Sequence, residues 1–160
     1  MDKTGNMALK IYVGGAYGNK KNVQNLIDNL KAKGHTITHD WTRVVKHDTK
    51  ESKMQEAVND INGVKNATLV VIIMDDPNYA YRGTWTEMGA AMATDKHILV
   101  ITNGMDTEKI KNVFIHHPNV SFVAYYDDLI RVIESGVFHY PFIPIKIPGI
   151  EFGKVVEKKK

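Results

Sequence analysis

A glutamate that follows a very apolar strand, one turn into a helix, is the residue of this chain best placed to do chemistry. It is Glu87, in the run Arg82-Gly83-Thr84-Trp85-Thr86-Glu87-Met88-Gly89-Ala90-Ala91. The apolar residues 69–74 come before it, and Asp75-Asp76-Pro77 closes them. A carboxylate at the carboxyl end of a parallel strand lies where open α/β sheets keep their ligands. It could act there as a nucleophile or in proton transfer. The same residues also fit a local purpose. Thr84-x-x-Glu87 matches a capping box, with Thr84 as N-cap and Glu87 three positions on. Such a cap is worth about 1 kcal/mol of helix stability. The pattern alone leaves both readings open.

Other candidates sit at strand ends. Tyr12-Val13-Gly14-Gly15-Ala16-Tyr17-Gly18 closes the first strand. Gly14 and Gly15 would let backbone amides approach a ligand, and the next helix N-terminus favours anions. The run is neither the dinucleotide fingerprint nor a P-loop, and a plain tight turn fits it equally well. His39-Asp40-Trp41-Thr42 closes the second strand. Trp41 could stack on a nucleobase and Asp40 could contact its edge. His35 and His39 read as ordinary polar strand residues, and the remaining histidines lack metal-ligand spacing, so no metal is expected. Asp60 falls at the edge of a helix's apolar stripe, the usual place for a solvated aspartate. Asp75-Asp76-Pro77 is either a turn or a carboxylate pair at the ligand edge of the sheet.

These side chains need a scaffold, and the apolar pattern supplies one. Residues 9–13 read as a buried strand. Val23, Leu26, Ile27 and Leu30 follow helical spacing up to a Gly34 cap. Residues 35–39 form a short second strand. Asp48 and Glu51 suggest a capping box opening a second helix, with Met54, Ala57, Val58, Ile61 and Val64 as its apolar face. Residues 67–74 form the central strand, 84–94 a helix, 98–102 a strand, 109–115 a short helix, 121–125 a strand and 127–134 the last helix. Alternating strands and helices predict an α/β fold: a flavodoxin-like three-layer sandwich with a five-stranded parallel sheet. Residues 1–136 form that domain. Residues 137–160 are expected as an extended arm, because Pro141, Pro144 and Pro148 forbid regular helix, with a disordered lysine-rich tail.

The 160 residues suit one domain. The net charge of +3 is small, and Lys154, Lys158, Lys159 and Lys160 crowd the end, leaving a near-neutral body. No nucleic-acid polymer is implied as partner. The chain has no cysteine, which removes disulfides, thiolate metal sites and cysteine nucleophiles. With no apolar run of membrane-spanning length and no visible secretory signal, a soluble cytoplasmic protein is expected.

Three segments together resemble the nucleoside 2-deoxyribosyltransferase family, including its relatives that hydrolyse 2′-deoxynucleoside 5′-monophosphates. They are Lys10-Ile11-Tyr12-Val13-Gly14-Gly15, Asn59-Asp60-Ile61-Asn62-Gly63-Val64-Lys65-Asn66-Ala67 and Gly83-Thr84-Trp85-Thr86-Glu87-Met88-Gly89. The likeness runs over about residues 9–136, and the last segment is the most specific. It implies the same five-stranded fold, and cleavage or transfer of the N-glycosidic bond of a nucleoside or nucleotide, without metal or organic cofactor. Glu87 would be the nucleophile at C1′. Tyr12 would orient it, and Asp60 would handle the proton on the base and position the sugar. Asn112 matches a position whose side chain enters a neighbouring subunit's site in relatives, so a homodimer or larger homo-oligomer is expected.

The chain also departs from the family. Transferases often carry a carboxylate six positions before the nucleophile, where this chain has Tyr81. The loop instead offers Asp75, Asp76, Asn78 and Arg82, and a guanidinium suits a phosphate. With Lys20 and Lys21 at the first helix start, this favours a nucleotide substrate. Two other readings stay open: a non-catalytic nucleotide-binding module, and a glycohydrolase acting on a dinucleotide such as NAD.

Overall fold

The computed structural model describes residues 8–45 and 48–139. Five parallel strands form one sheet: β1 (Lys10–Gly15), β2 (Thr36–Ile37), β3 (Leu69–Ile73), β4 (His97–Ile101) and β5 (Val120–Val123), in the order β2-β1-β3-β4-β5. This is the flavodoxin-like order. Four helices connect or follow them: α1 (Lys20–Ala32), α2 (Lys50–Asn66), α3 (Arg82–Ala93) and α4 (Tyr126–Glu134). No helix among the described residues is long and apolar enough to cross a membrane.

Strand residues alternate between the two faces of the sheet, and so two cores form. Ile11, Val13, Leu69, Val71, Ile73 and Leu99 pack with Val23, Leu26, Ile27 and Leu30 of α1 and Leu129 and Val132 of α4. Tyr12, Val70, Ile72, Ile98, Val100 and Phe122 pack with Val64 of α2 and Met88 and Ala91 of α3. The apolar β3 and β4 are buried along their whole length, as central parallel strands must be. The positions either side of Tyr12 therefore face α1, while Tyr12 itself faces α2 and α3.

Several local expectations change. The second strand shrinks to Thr36–Ile37. The second helix is capped by Thr49, which exchanges hydrogen bonds with Ser52, and not by Asp48 and Glu51. Of its expected apolar face only Val64 is buried. Met54 is 62% exposed and Val58 47%, because α2 meets the sheet only through its last turns around Gly63 and Val64. Residues 109–115 hold no α-helix but parts of two 3-10 turns, Thr107–Lys109 and Val113–His116. Beyond residue 136, Val137–His139 form a short 3-10 turn, and buried Phe138 lies edge-on against His97. The rest of the expected arm, with its prolines and lysine tail, lies outside the described residues.

Candidate functional site

The sheet order reverses direction between β1 and β3. β1 leads through α1 to the outer β2, while β3 begins the run to the other edge. The crevice outside their carboxyl ends is where such sheets hold ligands. β1 delivers Gly14 and Gly15 there, and α3 starts just above. A cleft of about 350 Å³ opens at this point, lined by Gly15, Tyr17, Trp41, Asp60, Tyr79, Ala80, Tyr81, Arg82, Gly83, Thr84 and Glu87.

Glu87 reaches the cleft floor by a different local route from the capping box. α3 begins at Arg82, and its N-cap is Tyr81 in the left-handed region at φ 49°. The Tyr81 hydroxyl accepts from the backbone amides of Asp75 and Asp76, at 3.1 and 3.0 Å, and this fixes the loop. The helix therefore starts earlier than the sequence suggests. Thr84 is buried inside the first turn, where its hydroxyl donates to the Gly15 carbonyl at 3.2 Å. Freed from capping, Glu87 lies across the end of β1. A Cβ built on Gly14 would stand 2.6 Å from Glu87 Oε2, so the glycine provides the space for the carboxylate.

Tyr12 is fully buried beneath it. Its hydroxyl donates to Asp60 Oδ1 at 3.3 Å and is within hydrogen-bonding reach of Glu87. Burial pushes the Glu87 carboxyl up to about 8, with help from the Asp60 charge, while the Tyr12 hydrogen bond pulls the other way. Burial and the charge of Glu56 raise Asp60 to about 6, against the opposing effects of His39 and Tyr12. Tyr12 itself is held far above the ordinary tyrosine range by burial and by the two carboxylates, so it stays a neutral hydroxyl. Three groups from β1, α2 and α3 thus form one hydrogen-bonded chain in which the two acids differ in proton affinity. Such separation is what acid–base and nucleophilic sites require.

His39 and Glu56 extend the chain. His39 Nε2 lies 2.6 Å from Glu56 Oε1 and 3.5 Å from Asp60 Oδ1. The sequence showed no convergent histidine–carboxylate set, yet the fold makes one: ligand atoms of His39, Glu56 and Asp60 all lie within 4.8 Å of one another. The signal was present in the spacing, since Glu56 and Asp60 are one helical turn apart and share a face of α2.

The remaining candidates divide. Trp41 borders the cleft, and its indole N–H donates to the Val13 carbonyl at 2.8 Å, so the ring is fixed in place. Arg82 and Gly83 are exposed at the rim, on the first turn of α3. Asp40 is absent from the lining. Its carboxylate accepts from Thr42 and Arg43, and Arg43 also bridges to Asp28 at 2.8 Å. Burial pushes Asp40 up, but the Thr42 and Arg43 hydrogen bonds outweigh it and hold the carboxyl below its usual range. Asp75 accepts from Asn103 Nδ2 at 2.9 Å and does not line the cleft. Asn112 accepts from the Phe114 amide at 3.0 Å and lines a separate cavity of about 370 Å³, on the far side of Tyr79 and Tyr81. Lys20 borders a third groove, next to Asp60.

A flavodoxin-like sheet with a half-buried glutamate, a tyrosine and an aspartate converging at its switch point defines a small α/β protein with a cleft where such sheets hold ligands. Comparison with known proteins narrows the class. The family model described as nucleoside 2-deoxyribosyltransferase matches residues 11–148, and the chain belongs to that family. Among solved structures it is similar to a 2-deoxyribosyltransferase from the psychrotolerant bacterium Bacillus psychrosaccharolyticus. Identity is 23%, over 75% of this chain and 89% of that one, with a TM-score of 0.58, a likeness of fold. A CMP N-glycosidase from Clostridium botulinum is 21% identical over 78% of this chain and 80% of that one, with a TM-score of 0.41. No curated protein matches the chain.

Proposed function

We propose that this protein cleaves or transfers the N-glycosidic bond of a nucleoside or nucleoside 5′-monophosphate, with Glu87 as nucleophile. The observation that carries the reading is the Tyr12 hydroxyl, hydrogen-bonded to Asp60 and next to Glu87, two carboxyl groups of unequal proton affinity at one cleft. Family membership supports the reaction class.

The chemistry follows from the proton positions. At neutral pH the half-buried Glu87 holds a proton and Asp60 is largely a carboxylate. A proton passed from Glu87 to the Tyr12 oxygen, with the Tyr12 proton passed to Asp60, makes Glu87 anionic and Asp60 an acid. The Glu87 carboxylate then attacks C1′ as the C1′–N bond breaks. That bond's electron pair goes to the base, and the Asp60 proton neutralises it. Positive charge growing on the sugar is stabilised by the carboxylate below it. The resulting glycosyl ester on Glu87 opens by attack of water, whose proton Asp60 takes, or of a second base. Arg82, beside the N-terminus of α3, favours a substrate carrying a 5′-phosphate. Trp41 and Tyr17 offer aromatic surface to the base. The active assembly is a homo-oligomer, with Asn112 serving a neighbouring subunit's site.

The test is a panel of nucleosides and 5′-monophosphates, with and without an acceptor base, followed by chromatography. Free base without acceptor identifies a hydrolase, and exchanged nucleoside a transferase. A sugar adduct on intact protein, absent in Glu87→Ala, would identify the ester. A panel with no turnover overturns the reading in favour of a nucleotide-binding module. NAD belongs in the panel as the dinucleotide alternative.

A further inference from the structure

The reaction above leaves two buried neighbours of Asp60 without work. Glu56 and Asp60 stand one turn apart on α2, with side chains only 13% and 25% exposed. Two carboxylates so placed repel each other and disfavour the helix that carries them. Solvent does little to separate them. What lies between them is the imidazole of His39, 2.6 Å from Glu56 and 3.5 Å from Asp60.

This contact is built into the fold. The Thr38 hydroxyl donates to the Gly63 carbonyl at 2.7 Å, and the Thr38 amide donates to the Ile11 carbonyl at 3.0 Å. The end of β2 is thereby tied to α2 and β1 at once. Gly63 lets the elements close: a Cβ there would meet His39 Cβ and Tyr12 Cδ2, each at 2.9 Å. The same glycine therefore seats both His39 and Tyr12, the two groups that touch Asp60 from opposite sides.

We propose that His39, held by Glu56, is a positioning residue that fixes the Asp60 carboxyl against Tyr12 and tunes its readiness to take and give the proton. The inference rests on the glycosidase reading for its role in the reaction. Its electrostatic content is independent of that reading. His39 Nε2 meets Glu56 Oε1 at 2.6 Å, and this contact fixes the ring's orientation. Carrying a second proton, the ring favours the charged form of Asp60, while Glu56 opposes it. The two neighbours thus pull Asp60 in opposite directions. The other groups around Asp60 are Tyr12 from β1 and Glu87 from α3, with Lys20, Lys53 and Arg82 lining the adjoining grooves.

The test uses two near-isosteric variants of the full chain, His39→Gln and Glu56→Gln. Gln at 39 keeps a donor but never carries charge, and Gln at 56 keeps the shape but loses the negative charge. The Asp60 carboxyl is titrated by carbon-13 NMR, with Asp60→Asn to assign its signal. His39→Gln should move the Asp60 midpoint up by about one pH unit, and Glu56→Gln should move it down by a similar amount. In the enzyme assay the acid limb of kcat should follow in the same two directions, with KM little changed. A purely structural role would lower activity in both variants without moving the limb. Midpoints that stay put, or move in the same direction, overturn the proposal. Turnover with unmoved midpoints sinks the pair and spares the glycosidase reading; oppositely moved midpoints without turnover do the reverse.

Discussion

Replacing the proposed nucleophile should make the protein more stable, and by an amount that depends on pH. Burial raises the Glu87 carboxyl from 4.5 to about 8, so the folded chain holds a proton that the unfolded chain releases. When the folded state binds more protons, stability falls as pH rises. The loss begins near the unfolded value and is complete above the folded one. The full shift corresponds to about 5 kcal/mol above pH 8, and to about 3 kcal/mol at pH 7. Water in the open cleft screens part of this, so about 2 kcal/mol at pH 7 is the working figure. Glu87→Gln has nearly the same shape, keeps a hydrogen-bonding group for Tyr12, and never ionises. Its stability relative to wild type should be near zero at about pH 5, about 2 kcal/mol greater at pH 7, and greater still near pH 8.5. Urea unfolding of both proteins at the three pH values measures this directly. A difference that does not change with pH, or a variant less stable throughout, would refute the claim that desolvation holds this carboxyl protonated.

Two glycines should separate stability from activity. Gly14→Ala pushes against Glu87 Oε2, at the end of a side chain that can swing, and against the tip of core residue Ile72, whose terminal methyl must shift slightly. It should cost less than about 1 kcal/mol in urea unfolding but lower kcat by about a hundredfold, through misplacement of the carboxylate. Gly63→Ala pushes against His39 Cβ and the Tyr12 ring, which cannot move without the backbone or a packed core. Overpacking there should cost about 1–3 kcal/mol, partly offset by alanine's higher helix propensity, so Tm should fall along with activity. Arg82→Ala should raise KM for a 5′-monophosphate about tenfold and leave the matching nucleoside unaffected, as steady-state kinetics on both will show.

The sheet was legible because β1, β3 and β4 are nearly unbroken apolar runs, and α1 because its buried residues keep strict helical spacing. Placing Glu87 at the ligand edge followed from that order alone. Its setting did not. The capping-box pattern at Thr84 failed because Tyr81 ties down the preceding loop and starts the helix at Arg82, a tertiary effect that no local pattern carries. Asp60 looked solvated on a helical wheel because the wheel assumes α2 lies flat on the sheet. In fact its first half stands clear, so Met54 and Val58 are exposed, while Asp60 turns toward Tyr12. Asp40 misled in the opposite sense. A carboxylate at a strand end suggests a ligand, but Thr42 and Arg43 lie within three residues and take it up. His39 and Glu56 escaped notice because their contact spans 17 positions and depends on the missing Cβ of Gly63.

If Glu87 is the nucleophile proposed above, that arrangement answers a problem any poorly solvated nucleophile faces. A carboxylate strong enough to attack C1′ must be poorly solvated, but a poorly solvated carboxylate takes a proton and ceases to attack. Exposing it would cure the second fault and restore the first. The alternative is to keep the site dry and give the proton somewhere to go. In that reaction Tyr12 conducts it without ionising, because burial, helped by the two neighbouring acids, keeps its hydroxyl neutral. In the proposed reaction Asp60 receives it, because its own affinity is raised to about 6, close enough to that of Glu87 for charge developing on a substrate sugar to tip the balance. An Asp60 of ordinary affinity would be too weak a base to take the proton. An Asp60 left facing Glu56 without His39 would bind it too tightly to give it up. The useful range between those limits is narrow, and the proposed opposing pulls of His39 and Glu56 from one side of Asp60 would hold it there.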